Sequence, residues 1–165
     1  MRRTIVTLVA CAMAATAGAQ PVDRPRLDAA RVTGEVVAGA YVGIGGYFLG
    51  KYVAGRVSNV LGIENEGTHR AIGLIGGGIG GGLATAGVVY AIGSMGDTAG
   101  DFNATVLGTT AGFVVAVGVA RLVLGPGVRP PAGMSTAARW ATANVLALLP
   151  AIGGTIGFNS TRRTQ

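Results

Sequence analysis

The chain predicts an all-α fold, an integral membrane bundle of about four glycine-rich transmembrane helices set as two hairpins after a signal peptide. Three observations point there. Half of the residues are apolar (50%) and 12% are charged, with a mean hydropathy of +0.54, which is far from the balance of a soluble domain. Most of the 30 glycines fall inside apolar runs that hold almost no charge. Within those runs small residues recur at every fourth position and so share one helix face. In water each interior glycine weakens a helix by up to about 1 kcal/mol relative to alanine. Hydrocarbon reverses the balance, because a spanning chain must satisfy its own backbone and small residues four apart let two helix backbones meet.

Taken in order, residues 1–19 (MRRTIVTLVACAMAATAGA) carry Arg2 and Arg3, an apolar stretch from Ile5 to about Ala15, and small residues at Ala17 and Ala19. That is the layout of a secretory signal peptide cleaved before Gln20. A competing reading takes Leu8-Val9-Ala10-Cys11 as a lipobox with Cys11 lipidated, and a third leaves the leader as an uncleaved anchor. Cleavage after Ala19 leaves a mature chain without cysteine and therefore without a disulfide framework. Residues 20–31, with Pro21 and Pro25, read as a polar lead-in, residues 32–158 as the four-helix membrane domain, and residues 159–165 as a polar tail.

The first segment runs from about Val32 to Gly50 and on toward Val60, because Gly46, Gly50, Ala54 and Ser58 keep the four-residue spacing past Lys51 and Arg56. Its uninterrupted apolar part, Val36–Gly50, is short for a span of about 20 residues, and a snorkelling Lys51 extends it. Gly62–Arg70 reads as a polar connection. In the second segment, Ala71–Ser94, Gly73, Gly77 and Gly81 lie four apart, as do Gly76, Gly80 and Ala84. Met95–Phe102 is a short turn, and the third segment, about Asn103–Leu124, sets Gly108, Gly112, Ala116 and Ala120 at the same interval. The Pro- and Gly-rich stretch Gly125–Gly133 must break the chain before the fourth segment, about Thr136–Phe158, where Pro150 is expected to kink or interrupt the helix. The alternative, a membrane β-barrel, needs strands that alternate apolar and polar residues, whereas these runs are uniformly apolar or glycine.

If the leader is cleaved, Lys51–Arg70 and Arg121–Arg139 become cytoplasmic connections rich in Lys and Arg, while Met95–Phe102, with none and two Asp, faces the other side. Arg24, Arg26, Arg31, Arg162 and Arg163 work against that bias. An inner membrane is favoured as the default for translocon-inserted helices, and the outer membrane is the alternative because glycine dilutes the hydrophobicity of the segments. The formal charge of +6 is scattered arginine, not a basic face interleaved with aromatics, which excludes a nucleic-acid partner and fits membrane-flanking cations. The bilayer is the expected partner, together with further copies of the chain or other membrane proteins.

Gly39 and Gly43, with Gly46 and Gly50, then Gly73, Gly77 and Gly81, give the stretch Gly39–Gly93 a resemblance to the glycine-zipper membrane proteins of the bacterial envelope, particularly the two-transmembrane glycine-zipper family. The resemblance implies adjacent helices packed through small-xxx-Gly-xxx-Gly repeats, and a role in envelope integrity or homo-oligomeric assembly. This chain departs from it in having a second pair of apolar segments, where Gly108 and Gly112 are the expected packing positions.

No catalytic, cofactor or metal residue is expected. Glu64, Glu66 and His69 are the one grouping of potential metal ligands, and a solvated acidic loop beside Arg70 explains them better. Asp101 reads as a helix cap and Asp97 as its loop neighbour. Glu35, near the start of the first segment, suits the helix dipole there, with a transport role as the sharper alternative. Ser, His and Asp are too dispersed for a nucleophile triad, and Gly76–Gly82 lacks the Lys-Ser or Lys-Thr of a phosphate loop. Trp140, Tyr41, Tyr47, Tyr52 and Tyr90 fit interface belts or packing. The expected function is thus a non-enzymatic structural or interaction role through glycine-mediated helix packing. A small pore-forming or transporter component is the alternative, and a membrane enzyme is a third class.

Overall fold

The computed structural model describes residues 28–125 and 130–164. The expected signal peptide, Cys11 and the lead-in as far as Leu27 lie outside the described residues, as does part of the Pro- and Gly-rich break. Within them the regular structure is helical apart from one short ladder. It forms α1 (Ala29–Val60), α2 (Glu66–Gly93), β1 (Thr98–Ala99), α3 (Phe102–Leu124), α4 (Thr136–Ser160) and β2 (Arg163–Thr164). Each of the 4 helices is long and apolar enough to cross a membrane.

Side chains with a free oxygen start every helix. Asp28, Asn65, Asp101 and Ser135 each accept a hydrogen bond from a backbone N–H of the first turn, which occupies a donor that has no partner inside the helix. α1 stops at a glycine. Gly62 takes a φ of 66°, so that its N–H reaches the Asn59 carbonyl and that of Ile63 reaches the Ser58 carbonyl, closing the last turn.

Several boundaries differ from those the sequence suggests. Asp28 caps α1, so the helix takes in Ala29–Arg31 from the lead-in. Asn65 caps α2, which draws Glu66 to Arg70 out of the expected connection and into the first helical turns. α4 runs unbroken through Pro150, and Gly112 of α3 lies against the backbone at Leu149 and Pro150. The polar tail is also structured, because α4 continues to Ser160 and Arg163–Thr164 pairs antiparallel with Thr98–Ala99 of the connection between α2 and α3.

α1 packs along α2 and α3 along α4, giving two antiparallel hairpins, with α4 touching both helices of the first pair. Large side chains are largely missing from the interior. The buried hydrophobic residues are Ala40, Ala86, Val89, Ala116, Ala120, Ala151 and Phe158, while Phe48, Leu49, Ile75, Leu107, Val114 and Leu122 face outward. A water-soluble bundle would bury that outer set. In lipid the arrangement is stable, since tails solvate the large residues and small ones bring the backbones together. With 32 residues α1 is about 48 Å long, more than the roughly 30 Å of hydrocarbon, so it stands out of the apolar layer.

Candidate functional site

The first hairpin closes on glycine. A side-chain carbon added at Gly46 would lie 2.6 Å from the Gly80 carbonyl oxygen, and one at Gly80 would lie 2.5 Å from the Gly46 carbonyl oxygen and 2.9 Å from Gly50 Cα. At Gly50 such a carbon meets the Gly76 carbonyl, and at Gly76 it meets Ala54 Cβ. Toward the start of α1, Gly43 faces Thr85 and Gly39 faces Val89, and the Thr85 hydroxyl donates to the Gly39 carbonyl at 3.1 Å.

On α2 the stripe in closest contact is Gly76, Gly80 and Ala84, turned by one residue, about 100°, from Gly73, Gly77 and Gly81. The latter three take side chains more than backbone. Gly77 lies under the Tyr47 ring, with an added carbon 2.6 Å from Cε2. Gly81 stands against Tyr47 and, at 3.0 Å, the Gly43 carbonyl oxygen, and Gly73 carries the Lys51 stem at 3.6 Å.

The second hairpin repeats the device. Gly108 faces Gly153, Gly112 faces Leu149 and Pro150, and Gly157 faces Ala104. Gly153 and Gly157 join the expected pair Gly108 and Gly112, and they carry the same four-residue spacing that marks the others. Gly93 and Gly100 belong to a different contact. Both lie flat against the fully buried Phe158 ring, where a carbon at Gly93 would sit 2.5 Å from Cε1. No spacing marks that notch.

Polar groups gather at the end of the bundle where α1 begins and α2 and α4 finish. Glu35 is fully buried, and its Oε2 accepts a hydrogen bond of 3.1 Å from Asn159 Nδ2. Thr155, Arg162 and Arg31 are its other polar neighbours. Arg31 reaches across to the connection, donating to the Met95 carbonyl at 2.6 Å and to the Thr98 hydroxyl at 2.7 Å. Glu35 Oε1, Ser94 Oγ, Thr155 Oγ1 and Arg162 Nε are buried without a hydrogen-bond partner among the described residues. Glu35 is buried beyond the first turn of α1, which corrects its reading as an acid serving the helix dipole, and Arg162 of the expected polar tail is buried too. The end of α4 meets the start of α1 through Asn159 and Glu35, and Arg162 lies just beyond α4.

The other residues singled out are dispersed. Glu66 pairs with Arg70 at 2.7 Å on the helix surface, while His69 Nδ1 lies 2.7 Å from the Ser58 hydroxyl and ties the start of α2 to the end of α1. Among the described residues no three His, Cys, Asp or Glu side chains converge on a metal-sized site. Asp101 accepts from the Ala104 N–H as a cap.

Between the hairpins lies a cleft of about 410 Å³ with walls from all four helices, among them Gly43, Tyr47, Phe113, Val117, Ala143 and Ala147. Its lining is almost wholly apolar, and the Thr85 hydroxyl in its wall donates to the Gly39 carbonyl. No protein-family model, curated protein or solved structure matches the chain.

Proposed function

We propose that this chain is a non-enzymatic, glycine-zipper integral membrane protein of a bacterial envelope, acting as a compact scaffold with a structural or interaction role. The observation that carries the reading is the pair of seams in which glycine backbones of α1 and α2, and of α3 and α4, touch without intervening side chains. Seams of this kind spend the glycine faces inside one chain and leave the large apolar residues on the outside, where lipid or a neighbouring membrane protein meets them. An inner membrane is the default for translocon-inserted helices, and the arginine- and lysine-bearing connections favour Met95–Phe102 on its non-cytoplasmic side.

A pore or transporter component is the second reading, favoured by the cleft between the hairpins and by the buried Glu35, since intramembrane acids often serve ion pathways. Reconstitution separates the two. Purified protein in liposomes should leave ion and small-solute flux at the protein-free level, while a photo-crosslinker at the outward Leu107 or Val114 in native membranes should give discrete protein adducts. Solute flux that Glu35→Gln abolishes would replace the scaffold with a conduit.

A further inference from the structure

Three of the helix faces that line the cleft run, one turn further on, into a cation at the same end of the bundle. On α1 the stripe Gly43, Tyr47 continues to Lys51; on α3 Phe113, Val117 continues to Arg121; on α4, which runs the other way, Ala147, Ala143 continues to Arg139. Residues four apart share a helix face, so each cation stands in line with a wall of the cleft. All three are exposed. The carboxylates at that end are Glu64 and Glu66 of the first hairpin, and Glu66 is already paired with Arg70.

Depth agrees with this placement. Arg139 precedes Asn159 on α4 by twenty residues, a rise of about 30 Å, which is the thickness of the hydrocarbon layer. With Glu35, Asn159 and Arg162 near one membrane face, Arg121 and Arg139 come to headgroup level at the other, and Lys51 lies slightly inside, within snorkelling reach. The cleft between these levels is in hydrocarbon and nearly without polar groups, so the medium that fills it is acyl chain, not water.

We propose that the cleft between the hairpins seats an acyl chain of one anionic phospholipid whose phosphate is held by Arg121 and Arg139, with Lys51 alongside. The apolar walls supply the contact, and the cations select the headgroup charge. The proposal rests on the membrane reading and is independent of whether the bundle is a scaffold or a conduit.

Native mass spectrometry of the detergent-solubilised full chain tests it, with phosphatidylglycerol and phosphatidylcholine of identical acyl chains as the probes. The parent protein should retain one phosphatidylglycerol in preference to phosphatidylcholine. A cation near the membrane surface contributes roughly fivefold in affinity for an anionic lipid, so Arg121→Gln with Arg139→Gln should reduce phosphatidylglycerol retention by about twenty-five-fold and leave at most the preference that Lys51 alone gives. Both side chains are exposed and the substitutions remove only the surface hydrogen bond from Arg139 Nε to the Met134 carbonyl, so the fold should persist, which circular dichroism of the same sample verifies. Ala143→Phe, which fills the cleft from its wall, should lower retention of both lipids. Equal retention of the two lipids by the parent would overturn the proposal, as would a double variant that keeps the parent's full preference. A second copy of the chain as the retained partner, seen as a dimer that Ala143→Phe dissociates, would also overturn it.

Discussion

Alanine at Gly80 should weaken the first hairpin, whereas alanine at Gly82, two residues along the same helix, should leave it unchanged or strengthen it. At Gly80 the added carbon would lie 2.5 Å from the Gly46 carbonyl oxygen, 2.9 Å from Gly50 Cα and 3.2 Å from Gly50 N, where ordinary contact begins at 3.4 Å. All three atoms are backbone, so no side chain can swing aside. α1 and α2 must part by up to about 0.9 Å at that level, and a gap of about 0.5–1 Å forfeits a quarter to a half of each dispersion contact along the seam. Overpacking of this kind costs about 1–3 kcal/mol, and the better helix propensity of alanine returns up to about 1 kcal/mol. The net loss expected is about 1–2 kcal/mol. Gly82 has no heavy atom of the described residues within 4 Å of the added carbon, so only the propensity gain remains there. Gly77→Ala should fall between them, because its obstacle is the edge of the Tyr47 ring, which can rotate. The assay is reversible unfolding by sodium dodecyl sulfate in mixed micelles, followed by circular dichroism. Equal midpoints for Gly80→Ala and Gly82→Ala would falsify the assignment of the seam.

Three further outcomes are expected. Phe158→Ala empties the notch at Gly93 and Gly100 and removes the edge contact with Tyr90 at 5.9 Å between centroids, so it should lower stability in the same titration. The loss should fall near the lower end of the roughly 3–5 kcal/mol typical of buried Phe→Ala, because lipid and not water is the reference medium. Glu35→Leu deprives Asn159 of an acceptor and Arg162 of a neighbouring carboxylate, at a cost of about 1–3 kcal/mol, while Glu35→Gln keeps the shape and an acceptor oxygen and should cost less. Equal effects of the two would show that the polar cluster does not hold α1 to α4. For topology, Asp97→Cys should react with an impermeant thiol reagent in cells with a permeabilised outer membrane, and Glu64→Cys only after lysis of the inner membrane. The opposite pattern reverses the orientation.

Four helices and their pairing were legible because small residues at a fixed spacing have one physical use in an apolar helix. The face of α2 was not. Gly76, Gly77 and Gly78, and again Gly80, Gly81 and Gly82, put glycine on adjoining faces of the helix, so spacing alone leaves the contact direction undetermined. What decides it is across the seam, where Ala54 and the bare backbone of Gly50 and Gly46 meet Gly76 and Gly80, while the bulk of Tyr47 and Lys51 turns aside onto Gly73, Gly77 and Gly81. Glu35 was opaque for a different reason. Its neighbours in sequence describe a helix start, and its burial depends on Asn159, 124 residues away. The pairing of Thr98 with Thr164 and the seating of Phe158 on Gly93 and Gly100 are likewise long-range and without period.

The two kinds of contact divide the work between levels of the bundle. Along the middle of each hairpin, attraction is dispersion between backbones, which has no hydrophobic driving force behind it in lipid and therefore depends on close approach. Across the hairpins the polar and aromatic contacts concentrate at one end. Arg31 binds the connection, Glu35 binds Asn159, β1 pairs with β2, and Phe158 fills the glycine notch. Further along, the walls are Ala, Gly, Val and aromatic rings around the cleft. A substitution in a seam thus acts within one hairpin, whereas one at Arg31, Glu35 or Phe158 acts on how the two hairpins are joined. Changes in different seams should combine additively because they share no partners, and Glu35 with Asn159 should not.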